Sequence, residues 1–416
     1  MNRDGWLLAL GLGLLCVGGL LVSLTWIDFE RGPATSILNA SITPEPIIPT
    51  RTPEVSGSAT VTESTEGDLP IASPQVELPE SSTATTSPSA SEISTPGSAA
   101  PLGHTDNRDA LWQGHPRWCA GVASGSILDY NVAPLNLGWY LNWRAEVDPP
   151  RPGGIDYAQM VRVKQGSLSQ TEEEIATIAE SQPGSLWLIG NEPDVRWQDN
   201  VTPETYARLY HQAYTAIKAV DPSASVAIGG ITQPSALRME YLERVIAFYQ
   251  ASFGQPPPMD AWHIHNFILR EERDSWGVDI PPGFSVDRGV LYEVNDCDDL
   301  SYFRGQLIAF RRWMKENGYR GKPLIVSEYG IPMPEDYGFS AERVSEFLGG
   351  TFNFFLTARD PDLGYSLDED RLVQRWCWYS LSAPDDYYPN GRLFDPSTYE
   401  ISLVGQYWSG MVGDED

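Results

Sequence analysis

The sequence predicts an α/β chain whose C-terminal part is a (β/α)8 barrel, preceded by a membrane-spanning helix and an unstructured stalk. Three observations carry this expectation. Apolar runs bounded by turn residues recur eight times after residue 117, helical patterns separate most of them, and composition changes abruptly near residues 31 and 107. Strands alternating with helices imply a parallel sheet with right-handed crossovers, and eight such units imply closure.

Residues 6–27, "WLLALGLGLLCVGGLLVSLTWI", carry no charge and are long enough to cross a bilayer. Arg3 precedes the run and Asp28, Glu30 and Arg31 follow it, a weak charge bias that favours a cytoplasmic N-terminus. The run exceeds a usual signal-peptide core and no A-x-A-like site follows, so residues 1–31 read as a signal anchor, with cleavage and secretion as the alternative. Cys16 follows Leu15 rather than a small residue, which argues against a lipid-modified cysteine. Residues 32–107 are dominated by Ser, Thr, Pro, Ala and Glu, with too few large apolar side chains to offset the entropy of ordering. Such a linker extends about 3 Å per residue, a contour on the order of 200 Å. The expected location is therefore a single-pass cell-membrane protein with residues 108–416 held outside the cytoplasm.

The eight strands are expected at 118–124, 137–143, 158–164, 185–191, 225–230, 259–267, 323–330 and 373–381. Helices are expected at 169–181, 202–222, 235–253, 300–318 and 340–358, most opening on Ser or Thr. The link 125–136 is too short for a full helix. Residues 268–300 form a long excursion after the sixth strand, either a binding wall or a decorated surface loop.

Charge and cysteines exclude some functions. A net charge of −28 makes nucleic acid an improbable partner and disfavours polyanionic substrates. Three cysteines lie outside the apolar run, Cys119, Cys297 and Cys377, an odd number without a C-x-x-C spacing. Cys377 reads as a buried thiol, and no disulfide is assigned.

In such a barrel the reacting groups come from the C-terminal strand ends. Those ends bring Asn191-Glu192 from strand four, His265-Asn266 from strand six, and Glu328-Tyr329 from strand seven, with Trp376 and Trp378 in strand eight. Two carboxylates facing across one mouth suit glycoside hydrolysis, in which one protonates the leaving oxygen and the other attacks or activates water. A lone Glu after a strand would read as a solvated loop acid; the second Glu at the matching end of strand seven changes that.

At this point "GNEPD", "WHIHNF" and "VSEYG" resemble the clan A glycoside hydrolases, retaining enzymes on a (β/α)8 barrel. With "GWYLNW" they are similar to the family sharing the Asl1-like catalytic core, some of whose members cut β-1,3-glucans. The resemblance implies Glu192 as acid/base, Glu328 as nucleophile, Asn191 on the sugar 2-hydroxyl, and His265 orienting a carboxylate. A clan tyrosine from strand six has Phe267 in its place, and Tyr329 directly follows the nucleophile.

Aromatic side chains divide between core and sugar stacking. Trp262 and Trp376 read as core, Trp139 as undecided, and Trp143, Trp197 and Trp378 as stacking surfaces near strand ends. Arg162 reads either as a contact to the nucleophile or as a rim salt bridge. His263 and His265 form an H-x-H pair on one strand face, which makes a metallohydrolase the rival. No further His ends another strand, so the expectation is an enzyme without metal or other cofactor, acting on a poly- or oligosaccharide. The alternative is an inactive glycan-binding barrel at the cell surface.

Overall fold

Alternation explains how the apolar runs become staves. Along 186–189, Leu186 and Leu188 join one buried cluster while Trp187 and Ile189 join another. The first cluster, with Trp139, Met160, Ile325 and Cys377, fills the barrel interior. The second, far larger, lies between sheet and helices and contains Trp187, Val226, Trp262 and Trp376. Strands buried on both faces are what a parallel sheet requires.

The structure is a computed structural model that describes residues 115–384 and 388–413. Its strands are β1 (Trp118–Gly121), β2 (Trp139–Leu141), β3 (Asp156–Tyr157), β4 (Gln159–Val161), β5 (Leu186–Ile189), β6 (Ser225–Ile231), β7 (Ala261–His265), β8 (Leu324–Tyr329) and β9 (Arg375–Trp378). They pair in the order β3-β2-β1-β9-β8-β7-β6-β5-β4, and every ladder is parallel. The two ends of that order are consecutive in the chain, separated by Ala158 alone, whose N–H donates to Tyr140 O at 2.9 Å. The third expected strand is thus one stave broken at Ala158, its first half paired with β2 and its second with β5. The sheet returns on itself as a (β/α)8-type barrel.

Five helices stand where periodicity places them: α1 (Glu172–Ser181), α2 (Pro203–Val220), α3 (Ala236–Phe253), α4 (Leu300–Glu316) and α5 (Ala341–Thr357). Thr171, Thr202, Ser235, Asp299 and Ser340 cap them through side-chain oxygens that accept first-turn N–H groups. The first two crossovers hold only short 3-10 turns, Ile127–Asp129, Ala133–Leu135 and Pro152–Gly154. A helix absent from the expectation, α6 (Leu403–Gly413), packs against α5 and the 133–135 turn, where Trp408 donates its indole N–H to Leu135 O at 2.9 Å. Its three glycines give weak helix propensity, so burial of Val404 and Trp408 specifies it rather than local sequence.

The expectation of a thiol at Cys377 needs correction. Register sets Cys119 opposite Cys377 on neighbouring strands, and the two form a disulfide across 258 residues of sequence. Among the described residues Cys297 is the free cysteine, and it is buried. The excursion 268–299 is folded onto the barrel, with Ile268, Leu269, Val278 and Ile280 buried and a bridge between Glu272 and Arg288. The expected membrane helix and stalk lie outside the described residues; no helix among the described residues is long and apolar enough to cross a membrane.

Candidate active site

Two backbone irregularities aim the carboxylates. After β5 the chain turns, and Glu192 sits in the left-handed region at φ 47° with its N–H bonded to Gly230 O at 2.8 Å. A non-glycine residue there costs on the order of 1–3 kcal/mol, which the surrounding hydrogen bonds must offset. In β8 the pairing with β9 slips between Val326 and Tyr329, and that with β7 slips beyond Ile264. The bulge turns both Ser327 and Glu328 toward the interior side, where Ser327 meets His263 and Glu328 meets His265.

His265, at the end of β7, touches both carboxylates. Its Nδ1 lies 3.1 Å from Glu192 Oε1, and its Nε2 lies 3.2 Å from Glu328 Oε1, off the line of a hydrogen bond. The Thr232 hydroxyl donates to Glu192 Oε1 from the end of β6, and the Trp143 indole N–H donates to Glu328 Oε1 at 2.5 Å. All of these groups except Trp143 are buried.

Burial and neighbours then separate the two acids. Burial is the largest influence on Glu328, and the nearby Glu192 charge adds to it; together they outweigh His265 and push the carboxyl up to about 7. Burial would raise Glu192 too, but the bonds from His265 and Thr232 and the Arg238 charge hold it below its usual value. Burial opposes protonation of His265, yet two facing carboxylates raise it. His263 is driven down to about 3 by burial and is neutral, with Nδ1 3.1 Å from Ser327 Oγ and Nε2 3.3 Å from Ile189 O. Near neutral pH a proton on the pair therefore resides on Glu328, while Glu192 is held ionised.

Behind Glu192 lies a charged cluster that sequence reasoning missed. Arg238, fully buried on α3, donates to Asp194, to Glu271 at 2.7 Å, and to the carbonyls of Val278 and Asp279 at 3.2 and 2.9 Å. Asp194 Oδ2 also accepts the Thr232 N–H at 3.2 Å. The acidic end of "GNEPD" is therefore pinned to both α3 and the long excursion. Thr232 has a visible signal in the sequence, since it directly follows the strand β6 at the same end of the barrel as Glu192.

The other expected site residues fall into two groups. Asn191 is buried at the mouth, its Oδ1 without a protein partner and its N–H bonded to Asp199 at 2.8 Å. Trp197 is 40% exposed, with the Arg196 guanidinium over its ring at 4.8 Å. Tyr329 and Trp378 require correction: both rings are fully buried and pack edge to face 5.2 Å apart in the layer between sheet and helices. The Trp378 N–H is taken by Gly391 O at 2.8 Å, so neither residue faces a substrate. Trp262, Trp376 and Trp139 are core. Arg162 forms the rim salt bridge, 2.7 Å to Asp199, whose other oxygen accepts the Asn191 and Val163 N–H groups. The H-x-H imidazoles face protein groups, and no cluster of three or more metal-ligating side chains occurs among the described residues.

Residues 120–273 match the family model described as Glycosyl hydrolase catalytic core, a span that holds Glu192 and His265 and stops before Glu328. The resemblance to glycoside hydrolases is thereby shown over that span. Among solved structures, a GH128 (subgroup II) endo-β-1,3-glucanase from Sorangium cellulosum is similar at 16% identity and TM-score 0.46, covering 71% of this chain and 98% of that one. Its counterpart from Pseudomonas viridiflava is similar at 17% identity and TM-score 0.47, covering 72% and 97%. A curdlan-specific exo-β-1,3-glucanase of GH128 subgroup III from Blastomyces gilchristii is similar at 16% identity and TM-score 0.43, covering 70% and 96%. Comparison with curated proteins gave no match.

Proposed function

We propose that this chain is a retaining glycoside hydrolase that cleaves O-glycosidic bonds of a neutral β-glucan outside the cytoplasm. The observation that carries the reading is His265 in contact with both carboxylates, 3.1 Å from Glu192 and 3.2 Å from Glu328, at the C-terminal end of the barrel. In the first step Glu328 attacks the anomeric carbon while Glu192 protonates the departing glycosidic oxygen. In the second, Glu192 takes a proton from water, which displaces Glu328 from the sugar. Asn191, with its buried Oδ1 unpartnered, accepts the sugar 2-hydroxyl, and Trp197 stacks on a ring farther along the chain.

At rest the shared proton favours Glu328, because that carboxyl is pushed up to about 7 while Glu192 is held low. The reactive form has the proton on Glu192 instead. His265 stands between the two oxygens, its Nδ1 bonded to Glu192; a small turn of the ring that aligns Nε2 with Glu328 would let it take the proton of Glu328 as Nδ1 releases one to Glu192. An extracytoplasmic location is supported by the Cys119–Cys377 disulfide and by the expected signal anchor.

The test is a glycan panel, led by a β-1,3-glucan because the similar structures are β-1,3-glucanases, incubated with the full chain and with Glu192→Gln. Reducing ends released by the wild type alone are expected. Binding of an oligosaccharide without hydrolysis would mark an inactive glycan-binding barrel instead.

A further inference from the structure

We propose that the indole N–H of Trp143 is the donor that holds the Glu328 carboxylate for attack, and that Gly121 lacks a side chain in order to seat the ring. The inference rests on the retaining reading above and adds a catalytic residue to it; a role in stacking on sugar is replaced by a role at the reacting atoms.

The bond is direct, with Trp143 Nε1 2.5 Å from Glu328 Oε1. Among the described residues no other group makes a hydrogen bond to that carboxylate: His265 Nε2 approaches Oε1 off-line, and no donor reaches Oε2. One oxygen is pinned and the other is left open. As the Oε2–C1 bond forms, the bond from C1 to the departing oxygen breaks and Glu192 supplies the proton that oxygen needs. Oε1 then becomes the carbonyl oxygen of the glycosyl ester, still under the indole N–H. When water cleaves the ester, the electron pair returns to the carboxylate and the same N–H stabilises it as a leaving group. A charge-assisted bond of this kind is stronger where carboxylate charge is greatest, so it favours the open carboxylate over a protonated one.

Three features fix the indole in this pose. Trp143 has φ 60°, a backbone region that a bulky residue enters only when its surroundings demand it. The ring edge lies over Gly121, where an added Cβ would meet Cη2 at 2.7 Å and Cζ2 at 3.2 Å. Tyr379 packs against the indole edge to face, ring centroids 5.8 Å apart. A ring wedged in this way presents its N–H to Glu328.

The experiment uses the full chain with carbon-13 glutamate, assigning the Glu328 carboxyl by Glu328→Gln and titrating it in the wild type, Trp143→Phe and Gly121→Ala. Phenylalanine keeps an aromatic ring over Gly121 and removes only the donor; alanine at position 121 displaces a chemically intact indole. Both are expected to move the Glu328 midpoint upward, because each removes a bond to the ionised form. On a responsive glycan, Trp143→Phe is expected to lower kcat about 10- to 100-fold with KM little changed, and to shift the alkaline limb, where the pair loses its single proton, to higher pH. An unchanged midpoint in both variants overturns the proposal, as does a raised KM at constant kcat, the signature of stacking. Absence of hydrolysis by the wild type overturns the hydrolase reading alone, since the titration still decides whether Trp143 holds Glu328.

Discussion

Glu192 and Glu328 stand on either side of one imidazole, yet their surroundings differ in kind. Glu192 is backed by charge: Thr232 and His265 donate to it, and the Asp194–Arg238–Glu271 cluster lies behind its loop. Glu328 is backed by aromatic rings, with Trp143 its hydrogen-bond donor and Trp143, Tyr379 and Phe267 in edge-to-face succession. Burial is therefore compensated on one side and left largely uncompensated on the other, which is why one acid is held low and the other rises to about 7. Two identical side chains acquire different proton affinities from their neighbours.

The largest effects come from removing either acid. Glu192→Gln is expected to lower kcat about 10²- to 10⁴-fold on a natural glycan, and a substrate with a good leaving group should recover much of the first step. Glu328→Gln should lose more and recover nothing with the same activated substrate, because the nucleophile itself is gone. Equal behaviour of both variants in that pair of assays would erase the proposed difference in role.

Next in size is the support behind Glu192. Arg238→Met leaves Asp194 and Glu271 buried without their cation and is expected to cost about 3–5 kcal/mol of stability, read by thermal or urea unfolding. Trp143→Phe on the aromatic side should cost far less stability while changing activity.

Stability against pH separates the two sides further. The folded pKa of Glu328 is raised, so the fold binds its proton more tightly than the unfolded chain does. Stability is full below the unfolded value of 4.5 and is lost as pH rises toward about 7. Glu328→Gln removes that loss and should stabilise the protein at pH 8 by about 1–3 kcal/mol relative to its effect at pH 4. Glu192→Gln, at a carboxyl held low, should show no such gain on raising the pH. The smallest expected effect is that of Thr232→Val, which removes one bond to Glu192 and should reduce kcat about tenfold.

Much of the fold and part of the site are legible in the sequence alone. Eight apolar runs and five capped helices stand close to their expected positions because burial on both faces and helix capping are local signals. Glu192, His265 and Glu328 could be read as strand ends, and the fold then brings them together. What failed has identifiable causes. Trp376 and Trp378 are two apart and must share a strand face; both are core, and only proximity to a strand end suggested otherwise for Trp378. Tyr329 adjoins an inward residue across a bulge that no pattern announces. Arg238, Asp194 and Glu271 form a cluster whose members are 33 to 77 residues apart by position, so pairing depends on the packed excursion rather than on spacing. The helix α6 is held by Trp408 against a turn 273 residues earlier.

The most direct test of the paired-carboxylate mechanism is the anomeric configuration of the first product, followed by proton NMR as the full chain cleaves a β-glucan. Retention through a glycosyl ester on Glu328 requires the β-anomer to appear first and the α-anomer to grow in only by mutarotation. Initial appearance of the α-anomer would mean single displacement by water, and would contradict the assignment of Glu328 as nucleophile.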